Sequence, residues 1–418
     1  MKILLVCKSK KMENLGCMYL KSVIQFNSEN ECRIVSLDEA MYVGINWEPQ
    51  IIGYSIMTGD EKKFHRFNQE LQMNYFAAHK KMPTSIVGAQ DPTFFPEGYE
   101  WADIIIPGEA EQALADLLHT GKVYGDIDSI PWPARDDFPK VEGKLDIRDF
   151  IASRGCPYNK CKYCFNARWK EMFPEQARLR IRDYKDVVAE IKFVNPEYAY
   201  FQDSCFGVHP KWFEDFCQLY SKEVGIPYQC HMRPEQVSMD KAKLLAKSNC
   251  VAIKIALESS VERLRQLVGR GSMQLQEVIN AITCLHLCGV KVALQNIIGL
   301  PTASIEDDLE TLRFNIEVRP DYAWVSIYVP YPGTALGDMC KEKGWYKGNY
   351  EDITDSFFDK SVLEFPEEHK EQLYCLQKIF ALCVETNYLP KPEELTLNNL
   401  PKLVHRVMRN LGDKRLYG

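Results

Sequence analysis

The feature that most restricts the fold of this chain is an alternation of strand and helix signals that runs twice along it, interrupted by a proline-rich stretch. In the first run, short apolar segments at Lys2–Cys7, Cys32–Leu37, Ile51–Met57, Thr84–Val87 and Asp103–Ile106 read as strands. Amphipathic segments at Glu13–Phe26, Glu61–Leu71 and Glu109–Leu118 read as helices. Strands alternating with helices predict a parallel sheet covered on both faces. Ligands of such sheets bind beyond the carboxyl ends of the strands. Those ends carry Thr58-Gly59, Gly88-Ala89-Gln90 and Pro107-Gly108-Glu109, small residues that let backbone approach a ligand.

The second run has strand segments at Ile147–Ala152, Tyr198–Gln202, Pro227–His231, Ala252–Leu257, Val290–Ile298 and Tyr322–Val329, each followed by a helical segment. Six such units predict a partial (β/α)6 barrel. Between the runs, Ile130-Pro-Trp-Pro-Ala-Arg-Asp136 and Pro139 break both helix and sheet. The expected class is therefore α/β, with a doubly wound, Rossmann-like domain at 1–122, a linker at 123–144, a partial barrel at 145–340 and a helical region at 341–418. In the last region Glu367–Tyr388 and Leu400–Leu411 are amphipathic. The first of these is expected either to cover the substrate side of the barrel or to pack on its outside.

Composition excludes several classes. A formal net charge of -7 gives no basic footprint for nucleic acid. No run of 18 apolar residues suggests a membrane span. The apolar start, Met1–Cys7, ends at Lys8-Ser-Lys-Lys11, too soon for a secretory signal, so cytoplasm is the expected location. The 15 cysteines are odd in number and scattered, unlike a disulfide scaffold. Most, such as Cys7, Cys217, Cys250, Cys284 and Cys383, sit in apolar patterns as reduced core residues.

Three cysteines do not. Ser153-Arg-Gly-Cys156-Pro-Tyr-Asn-Lys-Cys161-Lys-Tyr-Cys164-Phe165 follows the first barrel strand, where a loop points into the barrel mouth. Three thiolates at this spacing can ligate three irons of one [4Fe–4S] cube and leave the fourth open to a small chelating ligand. A zinc site would need a fourth ligand, and the nearest histidines, His119 and His209, lie in other elements. A redox Cys-x-x-Cys pair would leave Cys156 unexplained.

The loop Ser153–Phe165 resembles that of radical S-adenosylmethionine (radical SAM) enzymes, in particular those with an N-terminal cobalamin-binding domain. It departs from the family in having four residues between Cys156 and Cys161, where the family has three. The resemblance extends over roughly 1–345, through Phe201–Phe206, Gln229–Arg233, Ile255–Ser259, Asn296–Pro301 and Tyr328–Thr334. It implies a cluster on Cys156, Cys161 and Cys164, and S-adenosylmethionine near Tyr163, Phe165, Asp203, Ser204, Glu258, Asn296, Ile298 and Tyr328. Asp203 equally suits a helix cap, Glu258 a solvated rim carboxylate, and Gly299-Leu-Pro301 a plain turn.

In the first domain Glu13–Gly16, Gly53–Gly59, Val87–Glu97 and Asp103–Glu111 resemble the family's cobalamin site. This implies contacts from Thr58, Gly59, Gly88, Ala89, Gln90, Gly108 and Glu109. No histidine lies in Ser9–Gly16 to ligate cobalt. The same sheet equally suits a domain that has kept its shape and lost the cofactor. The resemblance further implies an external one-electron reductant, flavodoxin- or ferredoxin-like, and transfer of a methyl group to an unactivated carbon of a small molecule or peptide. Rearrangement or cyclisation, cobalamin-free radical chemistry and a non-catalytic sensor remain open. His231 and Arg233 suit binding of a carboxylate or phosphate, or internal pairing.

Overall fold

The structure is a computed structural model that describes all residues except 27–28, 79, 351–352, 354–355 and 418, with the side chains of 410–417 also outside the description. Five strands, β1 (Lys2–Cys7), β2 (Glu31–Ser36), β3 (Ile51–Ser55), β4 (Thr84–Gly88) and β5 (Ile104–Ile105), form a parallel sheet in the order β2-β1-β3-β4-β5. Side chains of β1 alternate between two cores. Leu4 and Val6 join Ile52, Tyr54 and Phe64, whereas Ile3, Leu5 and Cys7 join Met18, Ile34 and Ile86. A strand buried on both faces must be apolar throughout, which is why Lys2–Cys7 reads as it does. The strand order reverses between β1 and β3, and the crevice beyond that point is where such sheets take ligands.

The first helix, Leu15–Gln25, is capped by the Asn14 side chain, which accepts from Cys17 N at 3.0 Å. A helix at Leu37–Trp47 was not foreseen from periodicity. Its signal was Ser36-x-x-Glu39, and the Glu39 carboxylate does accept from Ser36 N at 3.0 Å. The proline-rich stretch lacks long elements, as expected, but it is a packed strap. Ser22 Oγ donates to Trp132 O at 2.6 Å, Ala134 N donates to Met18 O at 3.1 Å, and Phe138 joins the core.

Further along come β6 (Ile147–Phe150), an antiparallel ribbon of β7 (Ser153–Arg154) with β8 (Arg180–Ile181), and then β9 (Tyr198–Phe201), β10 (Tyr228–Met232), β11 (Cys250–Glu258), β12 (Lys291–Ile298) and β13 (Tyr322–Ile327). The second sheet runs β13-β12-β11-β10-β9-β6, with β9 to β13 paired in parallel. This unbroken sequential order is that of the expected partial barrel.

By compactness the chain forms two units. One comprises Met1–Gly155, Trp169–Tyr198 and Asn349–Asp355, the other Cys156–Arg168, Ala199–Gly348 and Ser356–Gly418. In the second unit Ile298, Val325 and Ile327 pack against Leu309 and Leu312 of helix Ile305–Val318, and against Leu373, Leu376, Phe380 and Cys383 of helix Glu367–Thr386. The latter helix therefore thickens the outer layer of the barrel. Its expected alternative use as a cover is not met, because its apolar stripe at helical spacing is consumed by the sheet. Among the described residues no helix is long and apolar enough to cross a membrane.

Candidate active site

The cysteine loop begins the second unit, and its main chain is held from two sides. Lys162 N donates to Val268 O at 3.0 Å, Leu336 N donates to Lys162 O at 2.9 Å, and Cys164 N donates to Cys161 O at 3.1 Å. The Tyr158 hydroxyl donates to Gly269 O at 2.9 Å, and Arg233 lies 3.7 Å from the centre of the Tyr158 ring. The extra residue of this loop has a specific accommodation. Asn159 turns left-handed (φ 46°), and the Lys160 carbonyl sits where a Cβ at position 269 would be, only 2.2 Å away. Gly269, itself at φ 79°, is thus the one residue type that leaves room for the widened loop.

Side chains fix the loop's other half. Tyr163 donates to Glu258 Oε1 at 2.5 Å, and Arg270 donates to the same oxygen at 2.6 Å. Glu258 is 5% exposed and Arg270 3% exposed. Glu258 closes β11 with φ 67°, beside a register shift against β12. A non-glycine residue there is strained, as functional positions often are. Burial works against the charge on Arg270, but Tyr163 and Glu258 outweigh it and hold the guanidinium protonated. Glu258 is therefore a buried, paired group and not a solvated rim carboxylate.

Asn166 Nδ2 lies 3.6 Å from Cys164 Sγ and 3.3 Å from Ser204 Oγ, linking the loop to the end of β9. Asp203 is buried next to it, and Phe165 is exposed. The structure thus gathers Tyr163, Ser204 and Glu258 around the cysteines. It does not gather Asn296 and Ile298 by their side chains. Both alternate to the helix-covered face, where Asn296 is fully buried and its amide pairs with Asn315 at 2.8 and 3.1 Å. A polar side chain buried under a helix needs such a partner, and Asn315 supplies it. Tyr328 is also buried, with its N donating to Ile298 O at 2.9 Å and Cys340 Sγ 3.9 Å from its hydroxyl. Arg270, Gly269 and Asn166 were missed; a Gly-Arg-Gly turn in a helix-rich stretch gave no ligand-like spacing.

At the carboxyl edge of the first sheet, Ile56 N donates to Gly88 O at 3.1 Å and Asp91 N to Ile56 O at 3.2 Å, so Thr58-Gly59 and Gly88–Gln90 share one edge. The Thr58 side chain hydrogen-bonds the buried Asp91, which also accepts from the Tyr99 hydroxyl at 2.7 Å. Ala89 adopts φ 82° and Gly108 φ 78°. Gly108 N donates to Thr93 Oγ1 at 3.1 Å, and a Cβ on Gly108 would stand 2.8 Å from Gln176 Oε1. The Glu109 carboxylate is spent internally. Arg180 grips both its oxygens, one at 2.9 Å, and Arg154 lies 3.4 Å away while donating to Glu111 at 2.6 Å. Glu109 is consequently a tie to the β7–β8 ribbon.

With these geometries in place, similarity to known proteins is informative. Residues 150–314, which contain the cysteine loop, Ser204 and the Glu258 strand end, match the model of the Radical SAM superfamily. Over that segment the chain is similar to that superfamily. An uncharacterised methyltransferase of Pyrococcus horikoshii is 24% identical over 373 residues, 77% of each chain. An anaerobic magnesium-protoporphyrin IX monomethyl ester cyclase of Rubrivivax gelatinosus is 24% identical over 341 residues, 71% of this chain and 59% of that one. In fold, the chain is similar to the radical S-adenosylmethionine methyltransferase TsrM of Kitasatospora setae (TM-score 0.64, 12% identity, covering 82% of this chain and 76% of TsrM). It is also similar to the cobalamin-dependent S-adenosylmethionine radical enzyme OxsB (TM-score 0.70, 15% identity, 98% of this chain and 72% of OxsB).

A radical SAM enzyme works with a [4Fe–4S] cluster and S-adenosylmethionine, and the loop's chemistry suits the cluster. Cys156, Cys161 and Cys164 are half-buried, whereas ten other cysteines are fully buried. Burial pushes the Cys164 thiol up to about 12, and pushes the Cys161 thiol up against the pull of Arg270 and Arg233. Iron must displace those protons, and the two guanidiniums beside Cys161 offset the charge of the thiolates that result. Among the described residues no three or more His, Cys, Asp or Glu side chains are arranged to hold a single metal ion. A [4Fe–4S] cube asks one thiolate of each of three irons, which is the ligand set this loop carries.

Proposed function

We propose that this enzyme is a cobalamin-dependent radical SAM methyltransferase acting on an unactivated carbon. The observation that carries the reading is the cysteine loop tied through Tyr163 to the end of β11, in a chain that also holds a β2-β1-β3-β4-β5 sheet with small residues along its carboxyl edge. When bound, cluster and S-adenosylmethionine supply a carbon radical that removes a hydrogen atom from substrate, and cobalamin supplies the methyl group. Cys156, Cys161 and Cys164 would hold three irons. Tyr163, Glu258 and Arg270 would keep the loop in register with β11, and Asn166 with Ser204 would orient Cys164.

Toward cobalamin, Thr58, Gly59, Gly88, Ala89, Gln90 and Gly108 would offer backbone at a ligand-binding edge. Ser9–Gly16 gives cobalt no imidazole. OxsB binds aqua-cobalamin on a similar fold, which supports carrying the cofactor over. In this reading 1–122 serves cobalamin, 123–144 joins, 145–340 serves the radical step and 341–418 braces the barrel. A flavodoxin- or ferredoxin-like protein would supply single electrons, and free thiols at all 15 cysteines suit a cytoplasmic setting.

A second reading, radical cyclisation without methyl transfer, draws on the cyclase relative from Rubrivivax gelatinosus. Protein produced with cobalamin, reconstituted anaerobically and incubated with reductant and methyl-labelled S-adenosylmethionine separates the two. Label appearing on the bound cobalamin, together with release of 5′-deoxyadenosine, supports methyl transfer. 5′-Deoxyadenosine with no labelled cobalamin rejects it.

A further inference from the structure

The second sheet carries one row of side chains that its core does not use. In β12 and β13, Ile298, Val325 and Ile327 pack under the covering helices, and in β11 Ile255 and Leu257 are fully buried. The alternate residues Ala256, Gln295 and Trp324 therefore project from the opposite, inner face. Ala256 stands opposite Gln295 in the strand register, and Gln295 stands opposite Trp324, so the three lie side by side. The strands end at Glu258, Ile298 and Ile327. At about 3.3 Å per residue, the row sits roughly 7–10 Å inside those ends.

Aromatic side chains wall this row at the edge of the sheet. Phe357 O accepts from Ile327 N at 2.8 Å, which brings Phe357 and Phe358 alongside β13. Their rings meet that of Trp324 at 5.6 and 5.8 Å, inclined at 62° and 78°. Both meet it steeply, so among the described residues no ring lies flat on the indole, and Trp324 keeps partial solvent access. The middle of the row is polar and uncommitted. The half-buried Gln295 amide makes no hydrogen bond among the described residues, and neither of its polar atoms is shut away from solvent. Asn296, one position on, has its amide paired with Asn315 under the helix. Ala256, and Ala293 beneath Gln295 on β12, carry only a methyl group and keep partial access, so the space over them stays open. No member of the row is charged.

We propose that Ala256, Gln295 and Trp324 form a subsite for a flat, uncharged aromatic ring of the substrate, a reading that rests on the radical reaction proposed at the strand ends. A ring laid on the indole gains more than its buried area alone supplies. Gln295 has both a donor and an acceptor, so it pairs with an N–H or a carbonyl on the edge of that ring. Ala256 leaves the room that the ring needs beside the amide. A ring held in this row turns one edge toward the strand ends, where Tyr163 reaches Glu258.

Reconstituted holoenzyme saturated with S-adenosylmethionine is to be titrated calorimetrically with indole. Benzothiophene, flat but without an N–H, and cyclohexylmethanol, apolar but not flat, are the controls. Indole is expected to bind saturably and more tightly than either. Trp324→Leu should weaken indole about tenfold or more, and Trp324→Phe by a smaller factor. Gln295→Leu should erase the preference for indole over benzothiophene. Affinity for S-adenosylmethionine, measured on the same samples, is expected to stay within about twofold. Absence of saturable indole binding, equal binding by Trp324→Leu, cyclohexylmethanol binding as tightly as indole, an indole preference that survives Gln295→Leu, or a parallel loss of S-adenosylmethionine affinity each overturns the assignment. Iron content and 5′-deoxyadenosine release on those samples report separately on the radical chemistry, so failure there with indole binding intact rejects that reading and not this site.

Discussion

At the carboxyl edge of the first sheet the most motif-like residues are consumed by the protein itself: Glu109 by Arg180 and Arg154, Gly108 by its closeness to Gln176, Thr58 by Asp91. In the cysteine loop the protein consumes the main chain, through Val268, Gly269 and Leu336, and leaves the three cysteines half-buried, outside the apolar core that takes ten others. A side chain that is both conspicuous in sequence and fully engaged in the fold is a structural tie. One whose backbone is pinned and whose reactive atom is left over is set up for chemistry.

Four substitutions can break or sharpen that contrast. Cys161→Ala is expected to abolish cluster retention and S-adenosylmethionine cleavage, measured as iron per chain and 5′-deoxyadenosine, while far-ultraviolet circular dichroism is unchanged. Cleavage persisting in this variant would remove the sulfur from the site. Gly269→Ala should come next, because its Cβ would stand 2.2 Å from the Lys160 carbonyl. Iron content is expected to fall severalfold, and deletion of Lys160 in the same chain should recover part of it; no recovery means that the widened loop and Gly269 are not matched.

Glu109→Gln tests the other region. Loss of its grip on Arg180 should lower stability by about 1–3 kcal/mol in denaturant unfolding, with cobalamin affinity little changed. A selective loss of cobalamin at unchanged stability would reverse the roles given to the two edges. The smallest effect is expected from Tyr163→Phe, which removes one hydrogen bond to a carboxylate worth about 1–2 kcal/mol. The cluster should assemble but show altered electron paramagnetic resonance line shape, and an identical spectrum would detach Tyr163 from loop positioning.

Much of this was legible beforehand because it is written in local patterns. The apolar run Lys2–Cys7 and the alternations around β9 to β13 follow from burial on two faces, and three cysteines within nine residues announce themselves. What stayed hidden depends on partners far along the chain. Asn296 stands at a strand end, and only Asn315, 19 residues on, shows where its side-chain amide pairs. Glu109 needed Arg180, 71 residues away, to become a tie. Gly269 acquires meaning only beside Lys160, and the apolar stripe of Glu367–Thr386 fits a lid or an outer layer equally well until the sheet is present.

Iron and sulfide analysis of anaerobically reconstituted protein, with and without all three of Cys156, Cys161 and Cys164, addresses the cysteine assignment most directly. The expected result is about four irons per chain and a resonance signal perturbed by S-adenosylmethionine, both lost in the triple alanine variant. A chain that takes up zinc in place of iron, or that keeps its full iron content without those thiols, would contradict the assignment outright.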